Sequence, residues 1–329
     1  MLQAVSWLDH GRRAALATVT RTWGSAPRQA GSHMAISDDG SFVGSVSGGC
    51  VEGAVVQAAL DVMDAGGTRM LEFGVTNEMA WEVGLACGGS ISVRVETVDP
   101  RTRDLLQALV EAQQEGRPVV LATRFEDGAR ALLEAESEEP AWGGAQIGRA
   151  LRADRSETLE SGVFLRPYNP PPHALVIGAV HITQAFAPMA ERAGFEVTVV
   201  DPRGAFATEE RFPGVRLVTA WPEDALEDLE LHSRTAVVAL THDPKIDDPV
   251  LKAALDSPAF YIGALGGRKT QTQRLARLAS QGVEEARLKR IRGPIGLDIG
   301  ARTPEEIAVA ILAEIVDVLR NPGARPLSR

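Results

Sequence analysis

Cysteine is scarce in this 329-residue chain: there are two, Cys50 and Cys87. Two thiols exclude a disulfide-stapled secreted fold, and they exclude a set of iron–sulfur clusters, which draw four ligands each. They also fall short of the four ligands of a structural zinc and have no nearby histidines, so no metal site made by protein side chains alone is expected. Long apolar runs are missing too. No stretch approaches the roughly 18 apolar residues that a membrane helix needs. His10, Gly11, Arg12 and Arg13 interrupt each apolar stretch that could serve as a secretory signal. The expected location is the cytoplasm, with no membrane partner. Basic residues are not in excess: the formal net charge is -10, and that averaged field repels nucleic acid. An anionic small ligand stays open, because a local ring of Arg, Lys and backbone N–H groups overrides a distant field. There are no internal repeats.

What is present is ordinary for a globular protein, with 44% hydrophobic and 24% charged residues. The length suffices for two domains, each with its own core. Residues 134–161 are polar and acidic, and Pro170-Pro171-Pro172 stiffens the chain while removing backbone donors. The expected division is therefore residues 1–172, including a polar linker region 134–172, and residues 173–329. Before the prolines, strands are expected at 14–20, 33–36, 90–95 and 119–122, with helices at 51–64 and 103–114. This is a mixed α/β domain. After them, apolar runs at 173–177, 196–200, 216–219, 235–240 and 260–262 alternate with helical segments, which predicts a Rossmann-like, doubly wound parallel sheet covered on both faces. A final helix at 303–319 carries a full start signal: Thr303 as N-cap, Pro304 at the first position and Glu306 closing a capping box.

In the second domain, Val176-Ile177-Gly178-Ala179-Val180-His181 occupies the place of a glycine-rich phosphate loop between strand and helix. Asp201 follows Gly178 by 23 positions, near the spacing of the acid that binds a ribose hydroxyl. Val180 replaces the pattern's second glycine, and Pro188 should kink the helix that follows. Further polar clusters come after later strands: His242 and Asp243, Arg268 after Gly266-Gly267, and Asp298. Loops at the carboxyl ends of parallel strands line one crevice, so these residues are expected to face a common site.

In the first domain, two segments place a cysteine beside paired glycines: Gly48-Gly49-Cys50-Val51-Glu52 and Cys87-Gly88-Gly89. The first runs into a helix, where the positive end of the macrodipole favours a thiolate and the free N–H groups can hold an anion. A lone cysteine is by default a small buried hydrophobe, but two such motifs in one domain favour a shared site. The loop Arg21-Thr22-Trp23-Gly24-Ser25-Ala26-Pro27-Arg28 adds cationic and hydroxyl donors.

Taken together, R-T-W-G-S-A-P-R, G-S-V-S-G-G-C-V-E and G-L-A-C-G-G resemble the XdhC/CoxI family of accessory factors for molybdenum hydroxylases. V-V-D-P-R at 199–203, T-H-D at 241–243, Y-I-G-A-L-G-G-R at 261–268, P-I-G-L-D-I-G at 294–300 and T-P-E-E-I-A-V-A-I-L-A-E-I at 303–315 agree. The resemblance implies a maturation factor and not the hydroxylase, more an accessory factor than a catalyst, and no residue is assigned as catalytic. Such a factor would bind the molybdenum cofactor (a molybdopterin, in plain or dinucleotide form), protect it during sulfuration and assist its insertion into a molybdenum hydroxylase. The implied partners are that client and a cysteine desulfurase. On this reading Cys50 and Cys87 contact the metal–dithiolene end and the Rossmann-like domain holds the nucleotide or phosphate end. Val180 and Gly267 depart from the family pattern, which has a glycine and more usually a serine there. A homodimer is the base-rate expectation. A second function class stays open from the residues alone: an NAD(P)-dependent oxidoreductase, with Asp201 on the ribose and Arg203 accepting a 2′-phosphate. A molybdenum hydroxylase itself is excluded by the missing cluster cysteines and by length.

Overall fold

The computed structural model describes residues 1–24, 26, 28–74 and 89–321. The chain divides into two units, Met1–Pro170 and Pro171–Arg329, within the run of three prolines.

In the first unit, helix α1 (Leu2–Asp9) leads into an antiparallel sheet of β1 (Ala14–Trp23), β2 (His33–Ser37), β3 (Phe42–Gly44), β4 (Thr68–Phe73) and β5 (Ser90–Thr97), in the order β3-β2-β1-β5-β4. Helix α2 (Glu52–Ala65) lays Val55, Ala59 and Met63, spaced four apart, on Ala17, Val19, Val93 and Val95 of the sheet. It ends at Gly66, whose φ of 76° is the left-handed conformation that glycine supplies cheaply. Helix α3 (Pro100–Gln114) starts on the Asp99 side chain, which accepts the Thr102 N–H, with proline at the first position.

The rest of this unit corrects the expectation of a polar linker. Strands β6 (Val119–Arg124), β7 (Arg130–Glu134), β8 (Glu157–Thr158) and β9 (Val163–Tyr168) form a second antiparallel sheet, ordered β7-β6-β9-β8. Helix α4 (Gln146–Ala153) packs Ile147, Ala150 and Leu151 against Val120, Ala122 and Leu165. The stretch reads as a spacer because most of residues 134–146 face solvent. Three apolar residues at helical spacing are enough to fold it, since each buried aliphatic side chain contributes about 1.5–3 kcal/mol.

The second unit is a parallel sheet of β10 (His173–Ile177), β11 (Glu196–Val200), β12 (Arg216–Val218), β13 (Thr235–Ala239), β14 (Tyr261–Ala264) and β15 (Ile291–Arg292), ordered β12-β11-β10-β13-β14-β15. Its helices are α5 (His181–Arg192), α6 (Pro222–Asp228), α7 (Pro244–Asp256), α8 (Arg268–Ser280), α9 (Glu285–Leu288) and α10 (Pro304–Arg320). Alternate residues of each strand enter opposite cores. Val176, Val199 and Val238 meet Phe186, Ile311 and Ile315, while Leu175, Ile177 and Val237 meet Ile246, Leu251 and Leu278. This is the Rossmann-like architecture read from the apolar runs. The capping box of α10 is present, with the Thr303 side chain on the Glu306 N–H and the Glu306 side chain on the Thr303 N–H. Pro188 does not break α5. It lies on the exposed side of the helix, where solvent can satisfy the carbonyl left without its N–H.

The strand order reverses between β10 and β13, and at such a switch point the carboxyl ends of the strands part to form a crevice.

Candidate functional site

The loop between β3 and α2 is built around its own acid. Gly48 and Gly49 adopt φ of 84° and 126°, which turns successive N–H groups inward. The Glu52 side chain, 7% exposed, folds back into that concavity. It accepts N–H bonds from Val46 (3.2 Å), Ser47 (2.9 Å), Gly48 (3.0 Å), Gly49 (2.8 Å) and Val51 (3.3 Å), and hydroxyls from Ser45 and Ser47. Burial pushes the Glu52 carboxyl up, and these donors more than reverse it, holding the group well below the usual carboxylate range. The amides expected to hold an external anion are thus occupied from within. Cys50 is an exposed free thiol, one residue before the N-cap Val51. Gly89 is buried immediately before β5, and Arg28 is exposed in the loop after β1. Cys87, Gly88, Ser25 and Pro27 lie outside the described residues.

In the second unit, Gly178, Asp201, His242, Asp243, Arg268 and Asp298 all follow carboxyl ends of parallel strands, so the topology gathers them on one edge of the sheet. The contacts are more selective. Gly178 has φ 110°, and a Cβ there would stand 2.7 Å from Thr241 Cγ2, so glycine is needed where this loop meets the one after β13. Asp201 is fully buried. Its Oδ2 accepts the Ala179 N–H (2.8 Å) and Arg203 Nη2 (2.7 Å), and its Oδ1 accepts the Arg203 backbone N–H (2.9 Å) and Nε (2.8 Å). Four donors already bond its two oxygens, so a ribose hydroxyl would have to share an oxygen with them. The acid closes its own phosphate-loop position onto Arg203. Burial pushes its carboxyl up, but Arg203 and the amides leave it below the usual range. Arg203 gives Nε and Nη2 to the same acid and lies 4.4 Å from the Phe206 ring centroid, with its side chain partly exposed.

Asp243 is the N-cap of α7, accepting the Lys245 N–H at 2.9 Å. His242 is exposed with φ 62°, one of two left-handed non-glycine residues among those described. His181 starts α5, whose N-terminus has no side-chain cap. That leaves first-turn N–H groups for an anion. His181 also lines a cavity of about 570 Å³ with Gln184, Met189, Arg192 and Glu305. Arg268 and Asp298 are exposed, and among the described residues no side-chain bond joins them to Asp201 or Asp243. Reasoning from sequence missed Asp247 and Arg274, buried to 1% and 2% exposure behind the Thr241 loop. Two adjacent acids, Asp247-Asp248, between Ile246 and Val250 in a helical period were the legible signal.

A second cavity, about 590 Å³, lies at the amino ends of the strands and includes His173, Thr198, Arg216 and His232. His173 Nε2 is 2.9 Å from Thr198 Oγ1. Burial first, then the His232 and Arg216 charges, push its pKa down to about 4. A lowered histidine favours folding fully above its ordinary value of 6.5, and the contribution is lost as pH falls toward 4. Wild type is expected to lose about 2 kcal/mol more than His173→Gln across that window, read as the difference between their melting curves at pH 7 and pH 5. Parallel curves would show that His173 is not held neutral.

Comparison with known proteins follows the same division. Residues 7–74 match the model described as the XdhC and CoxI family, and residues 174–315 match the XdhC Rossmann domain. The chain is 29% identical to a protein of Bacillus subtilis (strain 168) named as a probable xanthine dehydrogenase subunit, over 98% of this chain and 97% of that one. It is also 29% identical to the molybdenum cofactor insertion chaperone PaoD of Escherichia coli (strain K12), over 96% of this chain and 86% of that one. The crystal structure of a xanthine dehydrogenase from Bacillus halodurans is similar with a TM-score of 0.74 and 25% identity, covering 99% of this chain and 96% of that one.

Proposed function

The chain belongs to the XdhC and CoxI family, and from that premise we propose that it is a molybdenum cofactor-binding chaperone. It protects the cofactor, presents it for sulfuration by a cysteine desulfurase and assists its insertion into a molybdenum hydroxylase. The observation that carries this reading is Cys50: an exposed thiol at the rim of a loop that Glu52 fixes from inside. A thiolate is a soft ligand suited to a metal–dithiolene centre, and a loop anchored by its own acid can present it without needing a bound anion. Similarity over nearly the whole chain to a protein named as a molybdenum cofactor insertion chaperone supports the same reading. The phosphate or dinucleotide end of the cofactor is assigned to the second unit, at the uncapped N-terminus of α5. The NAD(P)-dependent oxidoreductase reading would require Asp201 and Arg203 to exchange bonds they make to each other for a ribose hydroxyl and a 2′-phosphate. Two cysteines leave no room for the clusters of a hydroxylase.

The test is to mix purified protein with molybdenum cofactor and separate bound from free by gel filtration. Wild type is expected to retain the cofactor, and the Cys50→Ala/Cys87→Ala double variant to retain it at least about ten-fold more weakly, as is typical when a contact near a metal is lost. Equal retention would sink the assignment of the thiols.

A further inference from the structure

We propose that Asp247, held by Thr241, is the acceptor for a hydroxyl or amine donor of a phosphate-bearing ligand seated at the switch point of the parallel sheet. This rests on the reading above, that the second unit holds the phosphate end of the cofactor, and it names the residue that reads what lies next to the phosphate.

Two neighbouring acids on α7 are used differently. Asp248 makes a two-bond pair with Arg277, at 2.9 and 3.0 Å, and ties α7 to α8. Asp247 makes no such pair. Its Oδ1 accepts the Thr241 hydroxyl at 2.6 Å and, more distantly, the Thr241 N–H at 3.4 Å. Its Oδ2 is buried without a partner among the described residues. The same holds for a cation nearby. Arg274 donates Nη1 to Gln271 and Nη2 to the Leu265 carbonyl, while its buried Nε has no partner among the described residues. Buried polar groups are nearly always paired, and an open valence on a buried charge is costly to keep. The open carboxylate oxygen is what a hydroxyl or amine donor can fill.

The position places this acceptor at the switch point. Thr241 meets Gly178, since a Cβ on that glycine would come within 2.7 Å of its methyl group. The carboxylate is therefore on the β13 side of the crevice, across from the loop that starts α5. Its charge, with that of Asp243, is felt by Arg203 on the β11 side, and it is felt by Arg274 on the other. Burial raises the Asp247 carboxyl, which Thr241 and then Arg274 partly offset. Asp201, the acid expected to take a ribose hydroxyl, already takes four donors. The two features that remain are an uncapped helix start for an anion and a buried carboxylate oxygen for a donor. Together they describe a phosphate ester carrying a hydroxyl- or amine-bearing ring.

Isothermal titration with ADP-ribose, and with inorganic pyrophosphate as comparator, tests the assignment in the full chain. Asp247→Asn and Thr241→Val are each expected to weaken ADP-ribose by about ten-fold or more, the loss of a bond to a charged group, while pyrophosphate affinity stays within about two-fold. Melting curves matching wild type establish that a variant is folded, and Thr241→Val carries the test if Asp247→Asn is not. Unchanged ADP-ribose binding in the folded variants overturns the proposal, as does equal weakening of both ligands or a wild type that does not bind ADP-ribose. Molybdenum cofactor capture is read separately. Capture without any effect of the two variants on ADP-ribose removes Asp247 and leaves the chaperone reading. Variant-sensitive ADP-ribose binding without capture supports the site and removes that reading.

Discussion

Glu52→Gln is expected to lower the melting temperature of the first unit by about 10 °C and to unlock the loop that carries Cys50. A glutamine keeps one acceptor oxygen and turns the other into an amide nitrogen. If the oxygen replaces Oε1, the new NH₂ faces the Gly49 and Val51 N–H groups and the Ser47 hydroxyl, donors against donors. Bonds to a charged acceptor contribute roughly 1.5–3 kcal/mol each, and replacing several of them in a buried setting costs about 3–5 kcal/mol. At about 2–4 °C per kcal/mol for a domain of this size, that is a shift of about 10 °C. The pH dependence has a definite sign. A carboxyl lowered in the folded state stabilises above its ordinary value of 4.5, and the contribution fades as pH falls below it, so wild type and variant should converge only on acidification. Hydrogen exchange should show protection lost at residues 46–51. A variant that melts with wild type would mean the carboxylate is not what holds this loop.

The architecture was legible where one physical signal dominated. The capping box at Thr303 and Glu306 needs only local chemistry, and it is present as read. The strands of the parallel sheet were legible because burial on both faces leaves unbroken apolar runs such as 173–177 and 235–239. Residues 146–168 were not, because the helix there is only eight residues long and buries three of them, too short a period to stand out after the acidic stretch 136–140. Site residues were harder still. Glu52 and Asp201 occupy motif positions from which a ligand contact is the natural inference, yet each closes its own loop. Sequence spacing gives the position of a carboxylate, whereas its free lone pairs depend on which amides the backbone turns toward it. Asp247 escapes notice for the same reason. Its place between Ile246 and Val250 marks burial, but nothing in the sequence tells that Asp248 takes Arg277 while Asp247, among the described residues, takes only Thr241.

Asp201→Asn separates these two kinds of carboxylate by stability alone. A carboxylate kept for a ligand is neutral or unfavourable in the free protein, so removing it commonly leaves stability unchanged or raised. A carboxylate that closes its own loop has the opposite effect. At Asp201 the asparagine nitrogen must face either Arg203 Nε and the Arg203 N–H, or Arg203 Nη2 and the Ala179 N–H. Either choice sets donors against donors at a fully buried position. Arg203 is partly exposed and can turn to solvent, which limits the loss, but the Ala179 N–H cannot follow it. The expected cost is about 3 kcal/mol, seen as a lower melting temperature of the second unit at neutral pH. The gap should narrow below the ordinary carboxyl value of 3.8, because a folded-state pKa below that value stabilises only while the unfolded chain is also ionised. A variant that melts at or above wild type would return Asp201 to the ligand and make its bonds to Arg203 a resting arrangement that binding replaces.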